Sequence, residues 1–399
     1  MKPGSWPSIL LVYLYGVLAS ASLSKLIPLS EVLIRQLDIG PAQFALLLSL
    51  ITLPAAIVGA AVGGLVDRVG PSQALIFSAI AGALANIAYL FAEHIVAFEL
   101  IRIFEGFALV GIFAAAPALI MATTVDKRRV RAMALWATYT PVGFSTGLLL
   151  AGTFVATDHW RICFVIHAIL FISIASMGLV LPNIEQPVAI FRPHTLLSRL
   201  KELLSGYSNP MLLRLVLALG CVVSIGFGTS TVFPTWFSHE HSLPIGTAAS
   251  VLAVANLAMI VGSLLAGALI AKGLRVRTLF AMLATLGIAS GSSLWFPLTP
   301  MMLALALLFV WLATTGAATA TVMAVLPTVV RNPQKGASAA GLISQTSALV
   351  AFLTPPIWIP IAVGDRWALL IALVMVGWLA SLILLPVWGE RAAPAPLVS

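Results

Sequence analysis

Long apolar stretches recur along the whole chain, and this pattern decides what the chain can fold into. A helix needs about 20 apolar residues to cross a hydrocarbon layer of about 30 Å. About twelve such stretches occur, at approximately 8–30, 42–66, 72–91, 95–122, 133–156, 162–181, 211–237, 247–271, 278–296, 300–326, 337–363 and 367–388. The composition agrees, because 61% of the 399 residues are hydrophobic and 9% are charged. A soluble multidomain protein is therefore excluded.

These stretches predict helices and not the strands of a membrane barrel. Barrel strands are about ten residues long and alternate polar with apolar residues, which this chain does not do. The first stretch is too long for a signal peptide and has no small-residue cleavage site after it. The sequence therefore predicts an all-α membrane protein with 12 transmembrane helices, the first of them retained.

Lysine and arginine are distributed unevenly between the loops, and this indicates the orientation. With both termini in the cytoplasm, sixteen of the 21 basic residues lie on the inner side, as the positive-inside rule requires. The formal net charge of +8 thus reflects the excess of basic residues on the cytoplasmic side. The basic run DKRRVR at 126–131 is a short loop between two spans, so the predicted partner is the lipid bilayer and not nucleic acid.

The chain divides into two similar halves. Residues 1–181 and 211–399 each hold six spans, and residues 182–210 form the one cytoplasmic connection long enough to be a linker. The turn DHWR at 158–161 precedes span six, and the similar turn GDRW at 364–367 precedes span twelve. Such an echo is typical of duplicated helical bundles.

Three charged residues lie at least five residues from either end of a predicted span, where ionisable side chains usually mark a transport pathway or a buried ion pair. Lys25 belongs to span one, and Arg102 and Glu105 belong to span four. A spacing of three places Arg102 and Glu105 on the same face of a helix. At about 1.5 Å per residue, Lys25 and Arg102 reach a similar depth. We therefore expect the three side chains to lie near one another.

The sequence GGLVDRVG at 63–70 resembles a signature of the major facilitator superfamily, and the resemblance covers nearly the whole chain. It includes, loosely, the cyanate-permease-like branch. The resemblance implies two pseudo-symmetric six-helix bundles and transport by alternating access. It also implies a gating role for Gly63, Asp67, Arg68 and Gly70. The chain departs from the signature at Pro71 and Ser72, where basic residues are usual, and the second copy has Ala271 in place of the aspartate.

The sequence RIFEG at 102–106 is similar to a second pattern of that family, R-x-x-q-G. In the family, spans one, four, seven and ten line the central cavity, which implies a cavity position for all three charges. Three roles stay open for them. Lys25 and Arg102 bind an anionic or zwitterionic substrate; Glu105 carries a coupled proton; or Arg102 and Glu105 form a static bridge while Lys25 turns outward.

The second half has no intramembrane charge to contribute to a binding site. Its share must come from aromatic and polar side chains, since small hydroxyl residues in membrane helices more often pack against other helices. The residues predicted to bind substrate in this half are Trp236, Trp311 and Gln345.

The function predicted from these features is secondary transport of a small organic anion or zwitterion. Symport with protons is one option, and the expected setting is a monomer without cofactors in a bacterial-type inner membrane. The alternative is a drug/proton antiporter that exports a lipophilic or cationic compound. Leu148 stands in span five where the pattern of the family's antiporters has a proline, which weakens that alternative.

Other classes fit the sequence less well. His167 and the run HEH at 239–241 suggest a metal transporter, but their spacing within the spans is not that of metal ligands. A sensor or assembly factor would need an appended domain, and an intramembrane enzyme would need catalytic groups at matching depth. The sequence contains no nucleotide-binding loop of the G-x-x-x-x-G-K type, so ATP is not the expected energy source.

Overall fold

The computed structural model describes residues 1–157, 159–182, 209–296, 299–330, 336–364 and 366–386, and sixteen α-helices account for most of them. The helices of the first half are α1 (Trp6–Ser24), α2 (Ser30–Leu37), α3 (Pro41–Ser49), α4 (Leu53–Val69), α5 (Pro71–Ala88), α6 (Ile95–Thr123), α7 (Asp126–Trp136), α8 (Tyr139–Gly152) and α9 (Ile162–Gly178). Those of the second half are α10 (Pro210–Glu240), α11 (Ile245–Asn256), α12 (Ala258–Ala271), α13 (Val276–Leu294), α14 (Met301–Val329), α15 (Gly336–Val363) and α16 (Trp367–Leu384). Nearly all of the predicted linker at 182–210 lies outside the described residues.

The prediction of an all-α membrane protein is confirmed. Among the described residues, nine helical stretches are long and apolar enough to cross a bilayer, judged by length and composition. The other three predicted spans, at 133–156, 162–181 and 278–296, fall on α8, α9 and α13. The helices are thus consistent with twelve spans.

Four of the predicted spans are each broken into two helices, and span five breaks between α7, which begins in the predicted loop at 126–131, and α8. Span one ends its first helix at Ser24 and resumes at Ser30, because Pro28 has no N–H to bond to the carbonyl of Ser24. Span two contains a 3₁₀ turn, Leu50–Thr52, between α3 and α4, just before Pro54. Span eight breaks at Leu257, between α11 and α12.

The two halves repeat the same helix pairings. In the first half α5 packs on α6 and α9, and in the second half α13 packs on α14 and α16. Likewise α1 packs on α8, and α10 packs on α15. The halves meet where α8 lies against α11 and where α3 and α4 lie against α15. Each half therefore has its own interior, with an interface between the two.

Candidate functional site

The three intramembrane charges meet inside the first half. Lys25 directly follows α1, while Arg102 and Glu105 lie on α6, and all three side chains are 0% exposed. Charges removed from water this completely persist only when each has partners. Lys25, Arg102 and Glu105 are called the charge cluster below.

The carboxylate of Glu105 is the centre of the charge cluster. Its Oε1 lies 2.5 Å from the Lys25 Nζ. Its Oε2 accepts hydrogen bonds from Arg102 Nη1 at 3.1 Å and from the Tyr89 hydroxyl at 3.0 Å. One carboxylate thus joins the ends of α1 and α5 to α6.

Lys25 uses all three of its ammonium protons. Besides Glu105, its Nζ lies 2.6 Å from Asn86 Oδ1 and 3.5 Å from His167 Nδ1. An ammonium group can only donate, so Nδ1 is the acceptor, and the hydrogen-bond network assigns the ring proton to Nε2. That Nε2 lies 3.1 Å from the carbonyl oxygen of Leu18 on α1. The ammonium group is therefore held by α5, α6 and α9 together.

Arg102 bonds mainly to backbone carbonyls. Its Nη1 donates to Ser22 O at 2.9 Å, its Nε to Leu47 O at 3.3 Å and its Nη2 to Leu48 O at 3.5 Å. The guanidinium therefore ties α6 to α1 and α3. With two cations and one anion, the charge cluster carries a net charge of +1.

The contacts of the charge cluster decide between some of the roles that the sequence left open for its three residues. The predicted contact between Arg102 and Glu105 is present, at 3.1 Å. The alternative in which Lys25 turns outward is wrong, because Glu105, Asn86 and His167 bind its ammonium group inside the bundle. The charge cluster faces spans three and six, and the cavity described below is lined by other residues.

Sequence reasoning missed Asn86 and Tyr89, and it considered His167 only as a metal ligand. The sequence nevertheless indicated that such partners exist, because the ammonium group of a lysine inside a membrane needs three hydrogen-bond acceptors. Asn86 and His167 are polar residues within otherwise apolar helices. A search for such residues in the first half would have found both.

A cavity of about 440 Å³ lies between the two halves at the end of the molecule remote from the start of α1. This distal cavity is formed by α2 and α3 from the first half and by α10, α15 and α16 from the second. Its described lining includes Ser30, Glu31, Phe44, Trp236, His239 and Trp367. Its volume falls in the range typical of small-molecule sites, about 300–1,000 Å³.

The residues predicted to bind substrate do not line one cavity in this conformation. Trp236 lines the distal cavity. Trp311 is 0% exposed and packs inside the second half, against Gly291. Gln345 donates from Nε2 to Ala56 O at 2.8 Å, so it joins α15 to α4 across the interface between the halves. Lys25 and Arg102 belong to the charge cluster.

The gating motif lies at the end of a helix that extends beyond the predicted limit of span two at residue 66. Helix α4 continues to Val69, so Gly63, Asp67 and Arg68 are helical, and Gly70 ends the helix with a φ of +91°. A Cβ added at Gly63 would meet nothing described within 4 Å, so no close helix crossing requires this glycine here. The side chain of Asp67 lies outside the described part of the structure, and its charge pairing stays a prediction.

The histidines considered for a metal site lie apart from one another. His239 lines the distal cavity, His241 packs against Trp236 and Phe237, and His167 belongs with Lys25. Within the described ranges, no group of three or more His, Cys, Asp or Glu side chains is placed to hold a metal ion.

Comparison with known proteins gives a family and a fold. The family model described as Major Facilitator Superfamily matches residues 12–355. A search of the curated proteins finds no significant match.

Two solved structures resemble the chain over nearly its whole length. A bacterial homologue of the human lysosomal transporter Spinster, in an inward-facing and occupied conformation, is 16% identical, with a TM-score of 0.72, covering 96% of this chain and 95% of that one. The nucleoside transporter NupG, in a mutant form, is 14% identical, with a TM-score of 0.76, covering 94% of this chain and 99% of that one. At such low identity these likenesses show the fold alone. The predicted superfamily fold is thereby confirmed and is consistent with twelve spans, whereas the cyanate-permease-like branch stays a prediction.

Proposed function

Because the chain belongs to the major facilitator superfamily, a family of membrane transporters and not of enzymes, we propose that it moves a small organic solute by alternating access and couples this movement to protons at Glu105. The observation that supports the proposal is the position of Glu105. Its carboxylate is fully buried and bridges two cations that belong to different helical segments. The distal cavity is the proposed entry for the solute, and it opens outward if both termini are cytoplasmic.

Protonation of Glu105 would change the balance of charge inside the first half. The carboxylate would become neutral, and Lys25 and Arg102 would lose their only described counterion. Breaking a buried pair in this way costs about 3–5 kcal/mol. That exceeds the coupling between sites in most proteins, about 1–3 kcal/mol. The same energy opposes protonation of Glu105 in this arrangement, so we expect the proton to bind where the ion pairs are already broken and thereby to favour that second arrangement of the helices.

The chain itself connects the charge cluster to the distal cavity. Lys25 ends α1, and the segment that follows leads directly to Ser30 and Glu31, which line the cavity. The intervening residues Leu26, Ile27 and Leu29 are buried, so this segment is packed and transmits a displacement. Release of Lys25 from Glu105 is thus expected to move one wall of the cavity.

The burial of the charge cluster counts against the organic anion as cargo. Each ammonium proton of Lys25 already has an acceptor, and Arg102 is occupied by Glu105 and by three carbonyl groups. An anion would have to displace those partners inside a closed bundle. We therefore assign Lys25 and Arg102 to coupling and not to recognition of the cargo.

A second candidate is the drug/proton antiporter that exports a lipophilic or cationic compound. The lining of the distal cavity favours this chemistry, because its described residues include the carboxylate of Glu31 and the rings of Trp236 and Trp367 but no lysine or arginine. This candidate shares the coupling residue of the first and specifies export as the direction of transport.

Transport in proteoliposomes with an imposed pH gradient tests the proposal. Both directions of the gradient are applied to a panel of aromatic amines, carboxylates and zwitterions. We expect the intact protein to accumulate at least one solute against its gradient. Glu105→Gln should abolish accumulation but retain exchange of labelled for unlabelled solute, since Gln cannot release a proton. Glu99→Gln is the matched control, because Glu99 is a half-buried carboxylate on the same helix, six residues earlier.

Two results would contradict the coupling role. One is accumulation by Glu105→Gln at the rate of the intact protein. The other is equal loss in Glu105→Gln and Glu99→Gln, which would reflect general damage to α6.

A further inference from the structure

We propose that the distal cavity binds a protonated amine attached to an aromatic body, with Glu31, Ser30 and the rings of Trp236 and Trp367 as the recognition groups. The inference rests on the proposed function in one respect, since it takes this cavity as the solute site. It adds the chemical class of the solute and the residues that select it.

The charge in the cavity comes from Glu31. This residue lies in the first turn of α2, is exposed and lines the cavity. Within the described part of the chain no lysine, arginine or histidine forms a salt bridge with it. No described lining residue is a lysine or arginine, so the cavity favours a cation over an anion.

The hydroxyl group of Ser30 is a hydrogen-bonding group that the protein itself leaves unpaired. Ser30 lines the cavity beside Glu31 and is only 6% exposed, yet its Oγ is buried without any hydrogen-bond partner. A buried hydroxyl usually has a partner, and its absence costs about 1–3 kcal/mol. An ammonium N–H placed between Glu31 and Ser30 would satisfy it.

Of the three other hydroxyl residues that line the cavity, Thr231 and Ser238 have partners within the protein, and Thr235 is exposed on α10. Thr231 Oγ1 donates to Gly228 O at 2.8 Å, and Ser238 Oγ donates to Leu243 O at 2.6 Å. Among the described lining residues, the Ser30 hydroxyl alone is both buried and without a partner, and it lies beside the carboxylate of Glu31.

The aromatic wall lies on the opposite half of the protein. The rings of Trp236 and Trp367 line the cavity, with centroids 6.4 Å apart and planes at 67°. An indole ring offers a flat apolar surface to an aromatic ligand. The face of such a ring also attracts a cation that lies above it. The combination with Glu31 and Ser30 fits an aromatic amine that keeps at least one N–H.

Three probes that share one ring system test this inference: 1-naphthylmethylamine, its N,N,N-trimethyl derivative and 1-naphthylacetate. Binding to the full chain in lipid nanodiscs is measured by calorimetry, in one mildly alkaline buffer for all three probes. We expect the amine to bind more tightly than the quaternary derivative, and the carboxylate to bind least.

The variants separate the recognition groups. Glu31→Gln should weaken amine binding about tenfold, since Gln can still accept a hydrogen bond but lacks the charge that strengthens it. Ser30→Ala should weaken the amine and leave the quaternary derivative unchanged, because the latter has no N–H. Thr231→Val is the matched control and should change neither, as its hydroxyl already bonds to Gly228.

Tighter binding of 1-naphthylacetate, or amine binding unchanged in Glu31→Gln, would overturn the inference. Glu105→Gln can shift the affinity for the amine by moving the cavity wall, but binding to this variant should still be weakened by Glu31→Gln. Amine binding that depends on Glu31, without proton-driven accumulation of any solute, would support this inference and refute the coupling proposal. Proton-driven accumulation of a carboxylate with no amine binding would support the coupling proposal and refute this inference.

Discussion

The interiors of the two halves occupy equivalent places in the fold but are built from opposite chemistry. In the first half, spans three, four and six enclose the charge cluster with Asn86 and His167. In the second half, spans nine, ten and twelve enclose Trp311 and Trp378, whose rings meet edge to face at 6.1 Å. One interior is held by charge that a proton can change, and the other by aromatic packing that no proton changes.

The tryptophan interior depends on glycines that leave room for the rings. A Cβ added at Gly291 would collide with the Trp311 ring, and one added at Gly287 would collide with Trp378. The Nε1 atoms of both tryptophans are buried without a hydrogen-bond partner. The two side chains therefore stabilise this interior by packing and not by hydrogen bonding. We infer that the second half is the rigid partner and that the first half changes with protonation.

The largest expected effect on stability is that of Glu105→Gln. It leaves Lys25 and Arg102 buried without a counterion, at a cost of about 3–5 kcal/mol in the free energy of unfolding. Chemical denaturation in detergent micelles measures this loss. A double variant that also carries Lys25→Met should recover part of the stability, whereas Glu99→Gln should be close to the intact protein. A loss in the double variant equal to the sum of the single losses would show that the cluster does not act as a unit.

A smaller effect is expected from Gly291→Ala in the second half. The added methyl group would displace Trp311, and overpacking of this kind costs about 1–3 kcal/mol. Gly267→Ala is the control in the same half, because nothing described lies within 4 Å of its added Cβ. In the interior of a helix that change should stabilise by about 0.5–1 kcal/mol. Equal effects of the two variants on the denaturation midpoint would show that the second interior is not tightly packed.

The smallest expected losses of stability are those of Gly70→Ala and Gly273→Ala, and they should be equal in the two halves. Gly70 follows α4 with a φ of +91°, and Gly273 follows α12 with a φ of +90°. Alanine at either position should cost about 1 kcal/mol, since a side chain disfavours positive φ. Neither glycine faces a neighbour that an added Cβ would touch. Unequal losses in the same denaturation assay would mean that one of these turns makes contacts specific to its half.

The sequence predicts the fold well because the spans, the basic loops and the repeated turns are local features of the chain. It also predicts that Arg102 and Glu105 meet, since a spacing of three on a helix settles it. It does not predict which way the charge cluster faces. The helices are apolar on all sides, and such helices have no polar stripe to orient them.

The distal cavity could not be predicted for a different reason. Glu31 and Ser30 belong to the end of span one, and Trp236 and Trp367 belong to spans seven and twelve. Only the packing of the two halves brings these residues together. The break at Pro28, which lets the chain turn into α2 at the cavity, was visible in the sequence but its consequence was not.

The most direct test of the coupling claim is the distance between the two halves at the rim of the distal cavity. Spin labels at Gln36→Cys and Ser242→Cys, both exposed positions, report this distance in a chain whose Cys163 and Cys221 are replaced by alanine. We predict that acidic buffer and Glu105→Gln shift the distance distribution in the same direction, while Glu99→Gln leaves it unchanged. A distribution that responds to acid equally with and without Glu105, or that Glu105→Gln does not alter, would contradict the account.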